Sequence, residues 1–320
     1  MDLHLLVDNL TNPALMFFIL GLLAAQLKSD LEIPKNSSKF ISLYLLLAIG
    51  FKGGQELAHS TYGNEIFYAI LAGILLALIV PIYTFFILKL KFTAENAGAI
   101  AAAYGSVSAV TFVTAVSFLE LEGIEFGGHM VAVMALMEAP SIIVGVLLMR
   151  IYSNGKKTSK ELFGLLQHAM TNGSVFLILG SLVIGFMASD AQAEGIKPFT
   201  TDIFKGFLAV FLLDMGITSG QKIGALVKKG WFALLFAIVI PIVNGVIVSK
   251  LSGSFLTETG DRFLLAILAA SASYIAVPAA MRMAAPKANP SLYLPMALAI
   301  TFPFNITLGM PIYMYIIQSL

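Results

Sequence analysis

The 320-residue chain contains no cysteine. That absence removes disulfide scaffolds, thiolate nucleophiles and Cys-ligated metals together. Charge is scarce as well. Asp, Glu, Lys and Arg make up 12% of the residues, against roughly 25% in a soluble domain. The signs nearly cancel, at a formal net charge of +1, and no basic tract is present, so a nucleic-acid surface is excluded. Also missing are His-Glu-x-x-His, Gly-x-Ser-x-Gly, a phosphate-binding Gly-Lys-Ser/Thr and a dinucleotide fingerprint, which leaves no motif for an enzyme. Glu138 and Asp214 lie in different halves of the chain, with nothing to join them as an acid–base pair. His4, His59, His129 and His168 fall in loops or at segment ends without metal-ligand spacing and are read as solvated.

What the chain has in abundance is apolar residues, 58% of the total, with a mean hydropathy of +0.91. A soluble globule of this size cannot bury that much apolar surface, so the chain reads as a membrane protein. Met1–Gln26 opens with Asp2, His4 and Asp8 and has no basic n-region, so it reads as a first span and not as a cleaved signal peptide. Breaks at polar, Gly and Pro clusters give about ten segments, near 11–28, 39–57, 66–90, 94–119, 128–152, 171–189, 199–222, 230–251, 261–283 and 291–318. Helices are the expected element, because an open strand edge in lipid leaves backbone groups unpaired. Fourteen of the 19 basic residues, from Lys28 to Lys287, fall in one set of loops. Four fall in the other set (Lys197, Lys205, Lys250 and Arg262), and Lys52 lies within a span. The first set is expected in the cytoplasm, with both termini outside. Glu120, Glu122 and Glu125 gather on an outer loop.

The segments repeat. GFKGGQEL (Gly50–Leu57) pairs with GITSGQKI (Gly216–Ile223), and FFILG ending at Gly21 with FLILG ending at Gly180. VPI around Pro81 pairs with IPI around Pro241, GSVSAV (Gly105–Val110) with ASASYI (Ala270–Ile275), and PSIIVG (Pro140–Gly145) with FNITLG (Phe304–Gly309). The five matches run in order at offsets of 159 to 166. They divide the chain into a first repeat (1–152), a linker (153–170) and a second repeat (171–320). Five spans per half is odd, so the second half enters the membrane from the opposite side, an inverted-topology plan recurrent in secondary transporters.

Such transporters hold substrate near the midplane, on discontinuous helices. The segments that fit are Ala101–Phe112 and Ala269–Ala280, each with a Ser-x-Ser at mid-span. Gly105 permits unusual backbone angles, and Pro278 frees a carbonyl one turn earlier, near Tyr274. If both helices break there, the new N-termini present free N–H groups to an anion and the orphan carbonyls suit Na⁺. Small residues packing helix against helix are the plainer alternative. Glu138, in MEAPSI, has Phe302 as its repeat equivalent and reads as a Na⁺ ligand or charge compensator, with Pro140 loosening the helix beside it. Ser141, its counterpart Asn305, Thr301 and Thr307 are further oxygen donors. Lys52 is structural or gating, Asp214 pairs with a neighbouring helix or biases a hinge near Gly216, and Gln55 and Gln221 mark flexing helix ends or interhelical hydrogen bonds. Glu161–Met170 reads as a short amphipathic helix in the linker.

Taken together, the ten spans, GSVSAVTF, ASASYIAVPAA, MEAPSIIVG and FPFNITLGMP (Phe302–Pro311) resemble the sodium-dependent bicarbonate transporter family of the cyanobacterial type, over essentially the whole chain. The resemblance implies an all-α membrane protein with two broken, crossing helices, the fourth and ninth spans. It implies a Na⁺/bicarbonate symporter of the bacterial plasma membrane, with no cofactor beyond Na⁺ as coupling ion. It also implies a core domain (spans 3–5 and 8–10), a gate domain (spans 1, 2, 6 and 7) and a homotrimer. Bicarbonate is then expected at Gly105, Ser106, Ser108, Ser271, Ala272 and Ser273. Na⁺ is expected at Glu138, Ser141, Thr111, Tyr274, Thr301 and Asn305. The linker is shorter than in cyanobacterial members, which speaks against a PII-like regulator, and the resemblance to relatives outside cyanobacteria that carry other small anions speaks against strict bicarbonate specificity. Another carboxylate or bile-acid-like anion on the same fold, an anion channel or membrane sensor, and an intramembrane enzyme are the rival readings.

Overall fold

The computed structural model describes residues 11–59, 63–153, 173–227 and 230–320, and among these the secondary structure is helical with no strand. His4, His168 and the amphipathic helix expected at Glu161–Met170 lie outside the described residues. The first half comprises α1 (Pro13–Gln26), α2 (Lys35–His59), α3 (Asn64–Lys89), α4 (Ala94–Gly105), α5 (Ala109–Glu122) and α6 (His129–Tyr152). The second half comprises α7 (Gly173–Met187), α8 (Asp190–Lys197), α9 (Phe204–Val227), α10 (Trp231–Leu251), α11 (Thr259–Ala270), α12 (Ala276–Ala284) and the long helical rod α13 (Pro290–Gln318).

The helix starts follow from local chemistry. Asn12 accepts from the amide of Ala14 ahead of Pro13, and Asn289 accepts from Ser291 ahead of Pro290. Both prolines stand where a missing N–H costs nothing. Thr93 caps α4 and Ser108 caps α5 by accepting from Thr111 at 3.1 Å. Gly123 ends α5 in the left-handed region (φ 65°), which favours glycine. Within α13, Pro295, Pro303 and Pro311 each lack a ladder donor, and the rod widens into π turns at Met296–Thr301 and Asn305–Gly309.

Among the described residues six helical stretches are long and apolar enough to cross a bilayer: Asn64–Lys89, Ala94–Glu122, His129–Tyr152, Asp190–Gly224, Trp231–Ser254 and Pro290–Gln318. That is fewer than the ten segments read from sequence. The difference has a physical reason. α1 and α7 are apolar but only 14 and 15 residues long, α2 carries Lys, Ser and Gly along its length, and α11 and α12 are separate short pieces. α3 and α10 expose matched apolar stripes at four-residue spacing, Leu71, Leu75 and Ile79 on one and Trp231, Leu235 and Val239 on the other. Such stripes suit lipid.

α1 packs along α9, and α2 along α7, through glycines that bring backbones together. A Cβ at Gly54 would collide with the carbonyl of Leu182, and one at Gly185 with that of Phe51. Backbone cannot rotate away as a side chain can. Gly54→Ala is therefore expected to destabilise the protein by about 1–3 kcal/mol. Gly224→Ala, which meets open space, is the neutral control. Thermal unfolding in detergent reads both, and equal midpoints would contradict this packing.

Candidate functional site

Two helices stop in the interior. α4 ends at Gly105, and Ser106 turns extended (ψ −178°) before α5 starts at Ala109. α11 ends at Ala270, and Ser271 likewise turns extended (ψ 169°) before α12 starts at Ala276. The breaks fall where the paired Ser-x-Ser segments placed them, but for different local reasons. Gly105 is helical and serves closeness, since a Cβ there would strike the ring of Pro81 on α3. Pro278 lies in the first turn of α12, where its lost amide has no partner to forfeit, so the chain is already broken upstream of it.

The two breaks are stitched together. The amide of Ser108 donates to Ser271 Oγ (3.1 Å), the amide of Ser273 donates to the Ala103 carbonyl (2.8 Å), and Ser271 Oγ donates to Leu268 (3.0 Å). Ser106, Ser108, Ser271, Ala272 and Ser273 are all buried. Ser106 Oγ and Thr111 Oγ1 have no hydrogen-bond partner among the described residues.

The helix ends at this crossing are treated unequally. At α11 the orphan carbonyls are filled by side-chain amides, Asn244 Nδ2 to Ala269 (3.1 Å) and Asn305 Nδ2 to Ala270 (2.8 Å). At α4 the carbonyls of Tyr104 and Gly105 accept no bond among the described residues. At the first turns of α5 and α12 the amides of Ala109, Val110, Ile275 and Ala276 donate to nothing within the described chain. Between those two first turns lies a cavity of about 20 Å³, lined by Leu46 of α2 and by Val107, Ser108, Ala109, Glu138, Ser273, Tyr274, Ile275 and Ala276. Glu138 is 9% exposed, and its Oε1 has no partner among the described residues.

Of the residues expected to hold Na⁺, the structure brings Glu138 and Tyr274 to this cavity and Thr111 to the adjoining turn of α5. Ser141, Thr301 and Asn305 are engaged elsewhere. Pro81 and Pro241 each deprive the carbonyl four residues earlier of its ladder donor. Ser141 supplies the missing bond to Ala77 (2.8 Å), and Thr301 supplies it to Ala237 (2.7 Å). These hydrogen bonds give Ser141 and Thr301 the same task, at the spacing that also relates Pro81 to Pro241. At that spacing Leu298 stands to Glu138 as Thr301 does to Ser141.

A profile of the Na⁺-dependent bicarbonate transporter superfamily matches residues 13–318. The chain belongs to that superfamily. No individual curated protein matches it. A larger cavity of about 590 Å³ reaches Tyr274 and Ile275 from the face that carries Lys35 and Lys39, with Ser38, Ser42, Asp214 and Thr218 in its walls. Asp214 accepts a hydrogen bond from Ser38, so it does pair with a neighbouring helix. On the opposite face an acidic bowl of about 1050 Å³ is lined by Glu56, Glu65, Glu120, Glu125, Glu258 and Asp261, and it shares no lining residue with the crossing. There Lys52 of α2 is ion-paired with Glu120 of α5. Gln55 donates to the carbonyls of Gly185 and Ala188, an interhelical bond as its repeated motif suggested.

The histidines differ from expectation in one case. His129 is not solvated but buried, with Nε2 3.4 Å from Asp261, because α6 begins beneath the bowl where α11 also starts. His59 is exposed, as expected of a span end. Its pKa is raised by its bond to the Gln55 carbonyl and by Asp190.

The sequence held one signal that was not used. Two buried prolines in matched segments announce two carbonyls in need of donors, and buried hydroxyls on another helix are natural suppliers. Ser141→Ala or Thr301→Ala is accordingly expected to lower stability by about 1–3 kcal/mol by stranding a buried carbonyl. Calorimetry of the purified protein checks this, and unshifted transitions would contradict it.

Proposed function

We propose that this protein carries bicarbonate into the cell together with Na⁺, by alternating access about the crossing of α4–α5 with α11–α12. The observation that carries the reading is the pair of first turns, α5 and α12, whose unpaired amides face one small cavity with no Lys or Arg in its lining. Helix N-termini at mid-bilayer bind an anion by their partial positive charge and directed N–H groups. The cavity is small, which favours a compact oxyanion over an organic or bile-acid-like carboxylate. In this proposal the anion rests against Ser108 and Ser273, which line the cavity, while Gly105, Ser106, Ser271 and Ala272 of the expected set form the adjoining breaks and not the lining. Na⁺ lies beside Glu138, with Thr111, Tyr274 and the open carbonyls of α4 as further oxygens, and Ser141, Thr301 and Asn305 hold the frame. The cation offsets the negative charges, so each ligand raises the affinity for the other.

The moving parts follow from the packing partners. α1, α2, α7 and α9 pack chiefly on one another and form the gate in this reading. α3–α6 and α10–α13, the inverted repeats' remaining spans, form the core. The larger cavity opens toward Lys35 and Lys39, the face that the distribution of basic residues places in the cytoplasm, so the described state faces inward. The Lys52–Glu120 pair bridges gate and core on the closed side.

Labelled bicarbonate is expected to accumulate in proteoliposomes under an inward Na⁺ gradient and not under an equal K⁺ gradient. Equal uptake in both, or flux that runs only downhill and never saturates, would contradict symport. Ser108→Ala and Ser273→Ala are each expected to raise the half-saturating bicarbonate concentration by roughly fivefold, the worth of one hydrogen bond. Unchanged values for both would move the site elsewhere. Lys52→Glu and Glu120→Lys are each expected to slow uptake, and the two together to restore it. Additive losses in the double variant would contradict a bridging pair.

A further inference from the structure

We propose that Glu138 is the residue by which the site selects an anion that carries its own O–H group. This rests on the transport reading above and assigns Glu138 a task beyond holding the cation. The argument begins with what the cavity offers. On one side stand donors, the free amides of Ala109 at the start of α5 and of Ile275 and Ala276 at the start of α12. On the other side stands one carboxylate acceptor, that of Glu138, nine-tenths buried, lining the same cavity and with Oε1 unbonded among the described residues. No Lys or Arg lies in the lining to pair with it.

The other polar side chains around the cavity are hydroxyls, and Tyr274 Oη among them has no partner among the described residues while Ser108 and Ser273 keep an O–H to donate. Ser108 Oγ accepts from Thr111, and Ser273 Oγ accepts from Val277. The site therefore presents several donors and one carboxylate acceptor, Glu138, the only acidic side chain in the lining. The complementary guest is a small anion with two or more acceptor oxygens and a single donor hydrogen. Bicarbonate has that pattern, whereas formate and nitrate share the plane and the charge but have no hydrogen to give.

Discrimination follows from what each guest leaves unpaired. The bicarbonate O–H donates to one carboxylate oxygen, and the other oxygen of Glu138 remains for Na⁺. Formate or nitrate satisfies the amides equally well but sets an oxygen against a buried carboxylate. A site built to bond a substrate hydroxyl rejects the analogue lacking it by far more than shape alone achieves. The shared spacing sharpens the point. Thr301 stands for Ser141 and performs the same bond, whereas Leu298 stands for Glu138 and has no acceptor in its side chain. The carboxylate is an asymmetric addition to a symmetric frame, as expected of a group that answers to a guest and not to packing.

The test is competition against labelled bicarbonate in Na⁺-driven proteoliposomes. In the wild-type protein unlabelled bicarbonate is expected to compete, with formate and nitrate at least about 100-fold weaker. Glu138→Gln, which substitutes an amide donor for one carboxylate oxygen, is expected to narrow that difference at least about tenfold. Formate or nitrate matching bicarbonate in the wild type overturns the proposal while leaving Na⁺-driven bicarbonate uptake intact. An unchanged difference in Glu138→Gln overturns it equally. If that variant does not insert, the wild-type competition decides alone. Absence of Na⁺-driven uptake in the wild type would instead remove the transport reading itself.

Discussion

An unpaired backbone group in the middle of a membrane has no water to turn to, and the arrangement of this protein follows from that constraint. Breaking a helix there exposes amides on one side of the gap and carbonyls on the other. The chain breaks two helices and then decides, end by end, which groups to satisfy. Asn244 and Asn305 fill the carbonyls of α11. Ser271 and the Ala103 carbonyl use up the amides of Ser108 and Ser273. What remains open is the pair of first turns at α5 and α12 and the carbonyl end of α4. Those are the groups that an anion and a cation would complete.

The same constraint explains the prolines. Pro81 and Pro241 each strand a carbonyl, and Ser141 and Thr301 reach across from other helices to supply the donor. These bonds tie α3 to α6 and α10 to α13 at the depth of the crossing. Gly105 then fits against the face of Pro81, so the kinked helix and the broken one are held in contact. Packing and polar satisfaction are one device here: a proline makes the space, and a hydroxyl repairs its cost. Against this matched frame Glu138 stands out, because Leu298 at the related position has no polar group to offer.

Much of this was legible beforehand. Composition required a helical membrane protein, and the paired Ser-x-Ser segments located both breaks. Small polar residues in an apolar run carry their signal locally. Other features were not legible because they depend on partners distant in sequence. His129 looked like a solvated span end, yet α11 brings Asp261 to it. Gly105 suggested unusual backbone angles, whereas its role is closeness to a ring 24 residues earlier in the chain. Ser141 and Asn305 align by local motif, but it is Thr301 that makes the bond equivalent to that of Ser141, a role set by the carbonyl it faces on another helix. The segment count differed for a related reason. Short or polar helices such as α1 and α2 are recognised by what they pack on and not by their own hydropathy.

The account stands on an anion held between the first turns of α5 and α12. A density map of the protein in lipid nanodiscs, recorded with saturating Na⁺ and bicarbonate, addresses this directly. The account predicts a compact feature within hydrogen-bonding distance of the amides of Ala109 and Ala276, with the Glu138 carboxylate at its edge. Bicarbonate bound elsewhere, with that cavity closed and Glu138 turned to a protein partner, would contradict it.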